Sequence, residues 1–277
     1  MKTTKLYFGG SRRVKTSASI AMNVISAFIA LYLLSGCSSI YYAPSAQNVP
    51  LFEKKKETNL SGDFRMGAYT KGYDFQAAVA ATDHLGITTS FSHFSGEEEN
   101  YDWYYGDIQT TPYTSNTFDI GLGYYLPFGK KFVFEVYSGY GTSTFKSNSG
   151  GSTNTGIIKV HSNCFFLQPE IGLRTKHFEL AFSDRIRVNS YGNIQYEVGY
   201  AGHESDYWDD EMNQNPTVCF LEPAFTLRAG GESVKFQFQV GPSFLVSKNW
   251  FIAHDPLNLN FGLFFRIGGK KEADPVQ

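Results

Sequence analysis

From Asn59 onward, apolar and polar residues alternate with a period of two in run after run. The clearest run is the last. Leu257, Leu259, Phe261, Leu263, Phe265 and Ile267 fall on one face, and Asn258, Asn260, Gly262, Phe264 and Arg266 on the other. At 234–244, Val234, Phe236, Phe238, Val240 and Phe244 oppose Lys235, Gln237, Gln239, Gly241 and Ser243. At 131–141, Phe132, Phe134, Val136 and Tyr140 oppose Lys131, Glu135, Gly139 and Gly141. A helix of about 3.6 residues per turn would mix these sets, whereas a strand keeps them apart. The pattern predicts about ten strands, over 59–68, 73–82, 86–94, 116–125, 131–142, 162–174, 177–189, 217–228, 233–245 and 257–267.

The connections alternate in length. Thr82-Asp83-His84, Pro127-Phe128-Gly129, Thr175-Lys176 and Gly230-Gly231 read as tight turns, while 95–115, 143–161, 190–216 and 246–256 read as long loops. The link around Tyr69 to Gly72 is a short loop on the long-loop side. Strands of 9–11 residues with short turns at one end and long loops at the other are the pattern of an outer-membrane barrel. The expected fold is all-β: a closed antiparallel up-and-down transmembrane β-barrel of about ten strands over 59–267. A soluble sandwich or lipocalin-like barrel is the structural rival, with the apolar stripe turned inward. The membrane version is favoured because the stripe opposite the Phe, Leu, Ile and Val residues holds Gly, Gln and paired charges rather than isolated lysines. Segments Phe166–Arg174 and Phe220–Arg228 also echo one another, with Pro and Arg at matching places, as repeated hairpins would.

The N-terminal stretch changes the picture. Lys2, Lys5, Arg12, Arg13 and Lys15 precede an apolar run from Ile20 to Leu34, and the run ends in Leu34-Ser35-Gly36-Cys37. The run is short of the ~20 apolar residues that span a bilayer and fits a secretory signal. Its end resembles the bacterial lipobox, which implies a signal peptide at 1–36 and acylation of Cys37. Residues 37–58 are then expected to be a lipidated polar spacer and 268–277 a polar periplasmic tail. An even strand count returns the C-terminus to the side where the chain enters, so both termini are expected in the periplasm.

Composition narrows the class. The 277 residues include 25 Phe, 18 Tyr and 27 Gly, with 18% charged residues and a net charge of −2. Weak charge with so many rings excludes a disordered chain, a coiled coil and a nucleic-acid binder. A mean hydropathy of −0.26 excludes a helical membrane bundle. The segments Tyr42-Ala43-Pro44-Ser45, Asn48-Val49-Pro50-Leu51-Phe52, Gln76-Ala77-Ala78, Ala81-Thr82-Asp83-His84-Leu85-Gly86 and Phe134–Gly141 resemble a family of Bacteroidota outer-membrane β-barrel lipoproteins of unassigned function. The resemblance implies location and fold, with no catalytic motif. In lipoproteins of that phylum an early acidic cluster often marks surface export; Ser38-Ser39-Ile40 has none, which implies an anchor in the periplasmic leaflet. The polar tail after Phe265 and Ile267 departs from the aromatic end usual in such barrels.

The polar stripe carries Glu135, Glu170, Glu179 and Glu222 with Arg174, Arg185, Arg187, Arg228, Lys235 and Arg266. In a lumen these would form a charged conduit, a catalytic pair of Glu170 and Glu222 on strands ~10 Å apart, or an ion-pair network. Narrow barrels have room for little beyond side chains, and buried charges need partners, so the network is favoured and a general diffusion pore is not expected. Two long loops are acidic and aromatic, one with Glu97, Glu98, Glu99, Asp102, Trp103 and Tyr104, the other with Asp206, Tyr207, Trp208, Asp209 and Asp210. They could bind Ca²⁺ through oxygen, a sugar or a protein, or form a solvated rim that meets lipopolysaccharide through divalent cations.

No His or Cys spacing marks a metal site, no Lys-Ser/Thr follows Gly150-Gly151 as in a phosphate loop, and no Ser-His-Asp set can be assigned, so no cofactor is expected. Cys164 and Cys219 differ in parity, which places them on opposite faces as free thiols. The sequence thus favours a lipid-anchored structural or surface-interaction barrel touching membrane lipids, lipopolysaccharide and an extracellular ligand or protein. A narrow ligand-binding or transport barrel comes second and a barrel hydrolase third.

Overall fold

The computed structural model describes residues 40–102, 106–151, 154–197, 216–247 and 252–268. The chain divides into two units, Met1–Cys37 and Ser38–Gln277, and every described residue belongs to the second. The predicted residues Cys37, Trp103, Tyr104, Asp206, Tyr207, Trp208, Asp209 and Asp210, and the tail from 269, lie outside the described residues.

Eleven strands are present: β1 Thr58–Gly67, β2 Lys71–Ala80, β3 Leu85–Asp102, β4 Asp107–Phe128, β5 Phe132–Gly151, β6 Asn154–Arg174, β7 Phe178–Glu197, β8 Thr217–Gly230, β9 Val234–Pro242, β10 Phe244–Leu245 and β11 Leu257–Ile267. Each pairs antiparallel with its sequence neighbour from β1 to β9; β9 pairs with β11, and β11 with β1. The sheet therefore closes. β10 holds the same register on β8 as β9 does, past Pro242 and Ser243, so the two are one interrupted stave and the cylinder has ten. Proline cannot donate to the ladder, which is why the break falls there.

The side-chain polarity is the reverse of a soluble protein. Phe64, Phe75, Phe118, Phe165 and Phe182 point outward, and Phe236 is 75% exposed. Arg65, Glu135 and Asn260 on the opposite faces are 0% exposed. In water such a belt would forfeit ~25 cal/mol for every Å² left uncovered; against acyl chains it costs nothing, and closure removes the unpaired edge that lipid cannot satisfy. The fold is a transmembrane-type barrel.

The turns between β2 and β3, β4 and β5, β6 and β7, and β8 and β9 are tight and share one end, as the sequence predicts. Three of the four long loops are shorter than predicted. β3 and β4 pair one to one from Leu85↔Tyr124 to Asp102↔Asp107, and β5 and β6 from Phe132↔Leu173 to Gly151↔Asn154. Glu97, Glu98, Glu99 and Asp102 therefore stand on a strand rather than in the loop expected at 95–115, and most of 143–161 is also strand. β7 likewise runs on to Glu197, into the loop expected from 190. These stretches have no apolar stripe to reveal a period of two, yet Thr, Tyr and Ile, as at Thr110, Thr111 and Tyr113, suit an extended backbone.

Candidate functional site

The lumen is occupied by the chain itself. Residues 40–52, expected as part of a polar spacer, are instead buried within the cylinder, with Val49 and Phe52 at 0% exposure. They carry no charged side chain, whereas Glu53-Lys54-Lys55-Lys56-Glu57 follows at once. An exposed spacer gains by being charged; a segment threaded through a barrel gains by being uncharged, because every buried charge must find a partner.

Lumenal side chains bind this segment largely through its main chain. At the long-loop end, Tyr41 N–H donates to Ala253 O at 3.0 Å and Asp255 N–H donates to Tyr42 O at 2.8 Å. Below them, Arg185 Nη2 donates to Ser45 O at 2.9 Å and Gln76 Nε2 to Ala46 O at 2.9 Å. Gln239 grips both sides of one peptide unit's neighbourhood: its Oε1 accepts from Gln47 N–H at 2.7 Å and its Nε2 donates to Gln47 O at 3.0 Å. Gln168 Nε2 donates to Asn48 O at 2.8 Å, and Asn59 Nδ2 and Arg266 Nη2 donate to Pro50 O at 2.8 and 2.9 Å. At the tight-turn end Arg174 Nη1 donates to Leu51 O at 2.8 Å, and the Glu135 carboxylate accepts from the consecutive N–H groups of Leu51 and Phe52, both at 2.8 Å. Leu51 has φ of 52°. That left-handed turn aims two successive N–H groups at one point, which makes a small anion-binding nest.

Apolar packing closes both ends. Ile40, Tyr42 and Ala43 join Phe94, Tyr113, Phe145, Val160, Tyr191, Val218, Phe220 and Ile252 in a cluster under the long loops. Tyr42 stacks on Phe220 at 4.4 Å. At the other end Val49 and Leu51 pack with Val133 and Ala181, and Phe52 with Ala78, Ala80 and Tyr125. Between them the lumenal cavity seen beside Asn48, Asp119, Gln168 and Arg185 is about 10 Å³.

The predicted charges are all on the lumenal stripe, with Arg174 half-buried at the tight-turn end. Glu179 meets Arg228 and Lys235 at 3.2 Å each and also Arg266. Glu222 takes Arg185 Nε at 2.7 Å and the Tyr42 hydroxyl at 2.5 Å. Arg174 binds Glu57 at 2.7 Å. Glu170 accepts from Gln168 at 2.7 Å and faces Glu135 across one register position. The structure does not bring Glu170 and Glu222 together as a pair: each is committed to a different neighbour.

Several participants were not singled out from sequence. Asp119 holds Arg187 through two bonds of 2.9 Å. Asp63 accepts from Gln237 at 3.0 Å, Arg65 lies 5.1 Å from the Phe94 ring, and Asp74 is buried beside this wall. All were within reach of parity: Asp119 alternates with Phe118 and Ile120, Asp63 and Arg65 with Phe64 and Met66, Asp74 with Tyr73 and Phe75. Asp255 falls in the stretch 246–256 that the sequence reads as a loop. It is fully buried and binds Ala68 N, Thr70 N and Thr70 Oγ1 at 2.7, 3.1 and 2.6 Å, fixing the β1–β2 turn. Cys164 faces inward and Cys219 outward, and both thiols are free. Among the described residues no group of three or more His, Cys, Asp or Glu is placed to hold a metal ion.

On the long-loop side, a cleft of about 470 Å³ lies between the β1–β2 turn and the β3–β4 hairpin. Tyr69, Lys71, Glu97, Glu99, Pro112 and Tyr113 line it.

Fold and lumen together define a closed ten-stranded membrane-type barrel plugged by its own N-terminal segment. No protein-family model matches the chain, and comparison with curated proteins gives no match. Among solved structures, CdiB from Acinetobacter baumannii overlaps with a TM-score of 0.27 at 7% identity, over 76% of this chain and 60% of that one. CdiB from Escherichia coli overlaps with a TM-score of 0.23 at 8% identity, over 81% and 64%. OprB from Pseudomonas putida, a low-pH structure, gives 0.23 at 7%, over 76% and 91%. The chain thus spans less than two thirds of either CdiB chain. Overlaps this loose carry no conclusion about activity.

Proposed function

We propose that this protein is a lipid-anchored outer-membrane barrel with a sealed lumen that serves as a structural or surface-interaction protein. The observation that carries the reading is the occupied lumen. The side chains that a transport barrel would present to a solute are bonded to residues 41–52 of the same chain or to one another. The outward apolar belt supports a membrane location, and the basic and apolar run ending in Cys37 supports export and acylation. The long-hairpin side is open to a partner, with exposed Glu97 and Glu99 bordering the cleft.

Full-length protein in planar bilayers is expected to give no stepwise conductance; steady channels from the intact chain would overturn the proposal. The β3–β4 extension is the part to remove for binding. Because Gly96 pairs with Tyr113, replacing 97–112 by a two-residue Asn-Gly turn keeps the register below it. The shortened barrel is expected to insert normally and to lose binding to lipopolysaccharide or to whole-cell partners. Unchanged binding would remove that hairpin from the reading.

A further inference from the structure

We infer that the chain crosses the membrane an additional time, inside its own cylinder, and that its N-terminal end emerges on the side of the long hairpins. The contacts are ordered along the barrel axis. Tyr42 forms a parallel bridge with His254, which lies between β10 and β11 on the long-loop side. Phe52 packs with Tyr125 and Ala80 near the tight turns, and Lys56 N–H donates to Ala80 O at 2.9 Å. Chain direction within the lumen is therefore from long loops to tight turns, after which β1 runs back the other way.

The expectation of a chain entering at the tight-turn side fails on this geometry. Three Cα–Cα steps lead from Cys37 to Ile40, a reach of ~10 Å at most. Returning across a hydrocarbon layer of ~30 Å needs ~9 extended residues. An anchor on Cys37 consequently belongs to the leaflet at the long-hairpin end. On the proposed reading of the barrel's orientation, on which this inference rests, that is the outer leaflet, and the lipid partner of the acyl chains is the lipopolysaccharide-bearing layer. Without an anchor the inference still fixes which face displays the mature N-terminus.

The test is thiol accessibility on intact cells with a membrane-impermeant maleimide, in a background with Cys164→Ala and Cys219→Ala. Ser39→Cys reports the N-terminal end, Lys71→Cys the long-hairpin end and Lys130→Cys the tight-turn end. Ser39→Cys is expected to label together with Lys71→Cys, before permeabilisation. Labelling that follows Lys130→Cys instead would overturn the inference. If Lys130→Cys labelled on intact cells and Lys71→Cys did not, the proposed orientation would be wrong, yet the threading would still be decided by the control that Ser39→Cys follows. Should Ser39→Cys impair export, the pair Tyr42→Cys and His254→Cys decides: bridge partners lie within disulfide reach, so a cross-link seen as a non-reducing gel shift is expected, and its absence under oxidation refutes threading.

Discussion

The grip of Glu135 on Leu51 and Phe52 is the most direct measure of whether the lumen holds its segment by design. Glu135→Ala leaves two buried main-chain N–H groups without an acceptor, at ~1–3 kcal/mol each. Leu51, at φ 52°, also loses what offsets its left-handed backbone, worth ~1–2 kcal/mol. Part of this is returned because Glu170 no longer faces a second carboxylate. The net loss is expected at ~2–4 kcal/mol. Glu135→Gln keeps one oxygen for one N–H and turns an NH₂ toward the other, so about half the loss is expected. The readout is the urea midpoint of the heat-modifiable gel shift in detergent, with limited proteolysis at the Lys54-Lys55-Lys56 run as a local probe. A wild-type midpoint for Glu135→Ala would refute the reasoning, as would equal losses for Ala and Gln, since the argument depends on counting acceptors.

Gly172 lies where a Cβ would come 2.5 Å from Leu51 Cδ2. Gly172→Ala is expected to cost ~1–3 kcal/mol by overpacking, partly recovered in combination with Leu51→Ala; Gly231→Ala, which meets only Val234 O at 3.4 Å, is the control, and equal midpoints for the two glycine variants would contradict the packing. Arg187→Met is expected to destabilise by ~3–5 kcal/mol because it strands Asp119, and the double variant with Asp119→Leu by less than either single change; additive losses in the same gel-shift titration would show that the two side chains are not a unit. His254 sits at the mouth, its Nε2 3.2 Å from Ser243 O, and burial holds its pKa below the usual imidazole value. The folded state favours the neutral ring, so the unfolded chain takes the proton first and stability is lost as pH falls through ~6.5. Wild type is expected to lose more stability than His254→Gln between pH ~8 and pH ~5, and equal losses would exclude His254 as the source.

The barrel was legible because lipid makes the period of two visible. Wherever the outward face must be apolar, as at Phe261 or Phe236, the sequence displays its parity, and Glu135 or Arg187 is assigned inward by counting. Where strands rise clear of the acyl layer, both faces are polar and the signal vanishes, which is why Glu97 to Asp102 read as loop. The charged partners were half legible. Parity says that Arg187 points inward, but not that Asp119, three strands earlier in the order, is the acid it meets.

The threaded segment was hidden for a different reason. Tyr41 to Phe52 has no period, because its neighbours surround it and every direction is interior. Its one sequence signature is an absence of charge beside the charged run at 53–57. A deeper indication lies in the wall rather than in the segment. Gln76, Gln168, Gln239, Arg185, Arg266 and Glu135 are long polar side chains converging on the axis. A helical plug would satisfy its own N–H and C=O groups within the helix and leave these wall groups competing for too few partners. An extended segment offers its peptide groups outward along its length. A barrel wall rich in amides, guanidinium groups and carboxylates is thus chemically matched to the main chain of an extended segment, and the side chains of Tyr42, Ser45, Gln47 and Asn48 add bonds of their own to the wall. It follows that conservative substitutions at Ala43 and Ala46, whose side chains make no hydrogen bond, are expected to be tolerated, while loss of a single wall amide such as Gln239, which serves both a donor and an acceptor of Gln47, is expected to cost more than either.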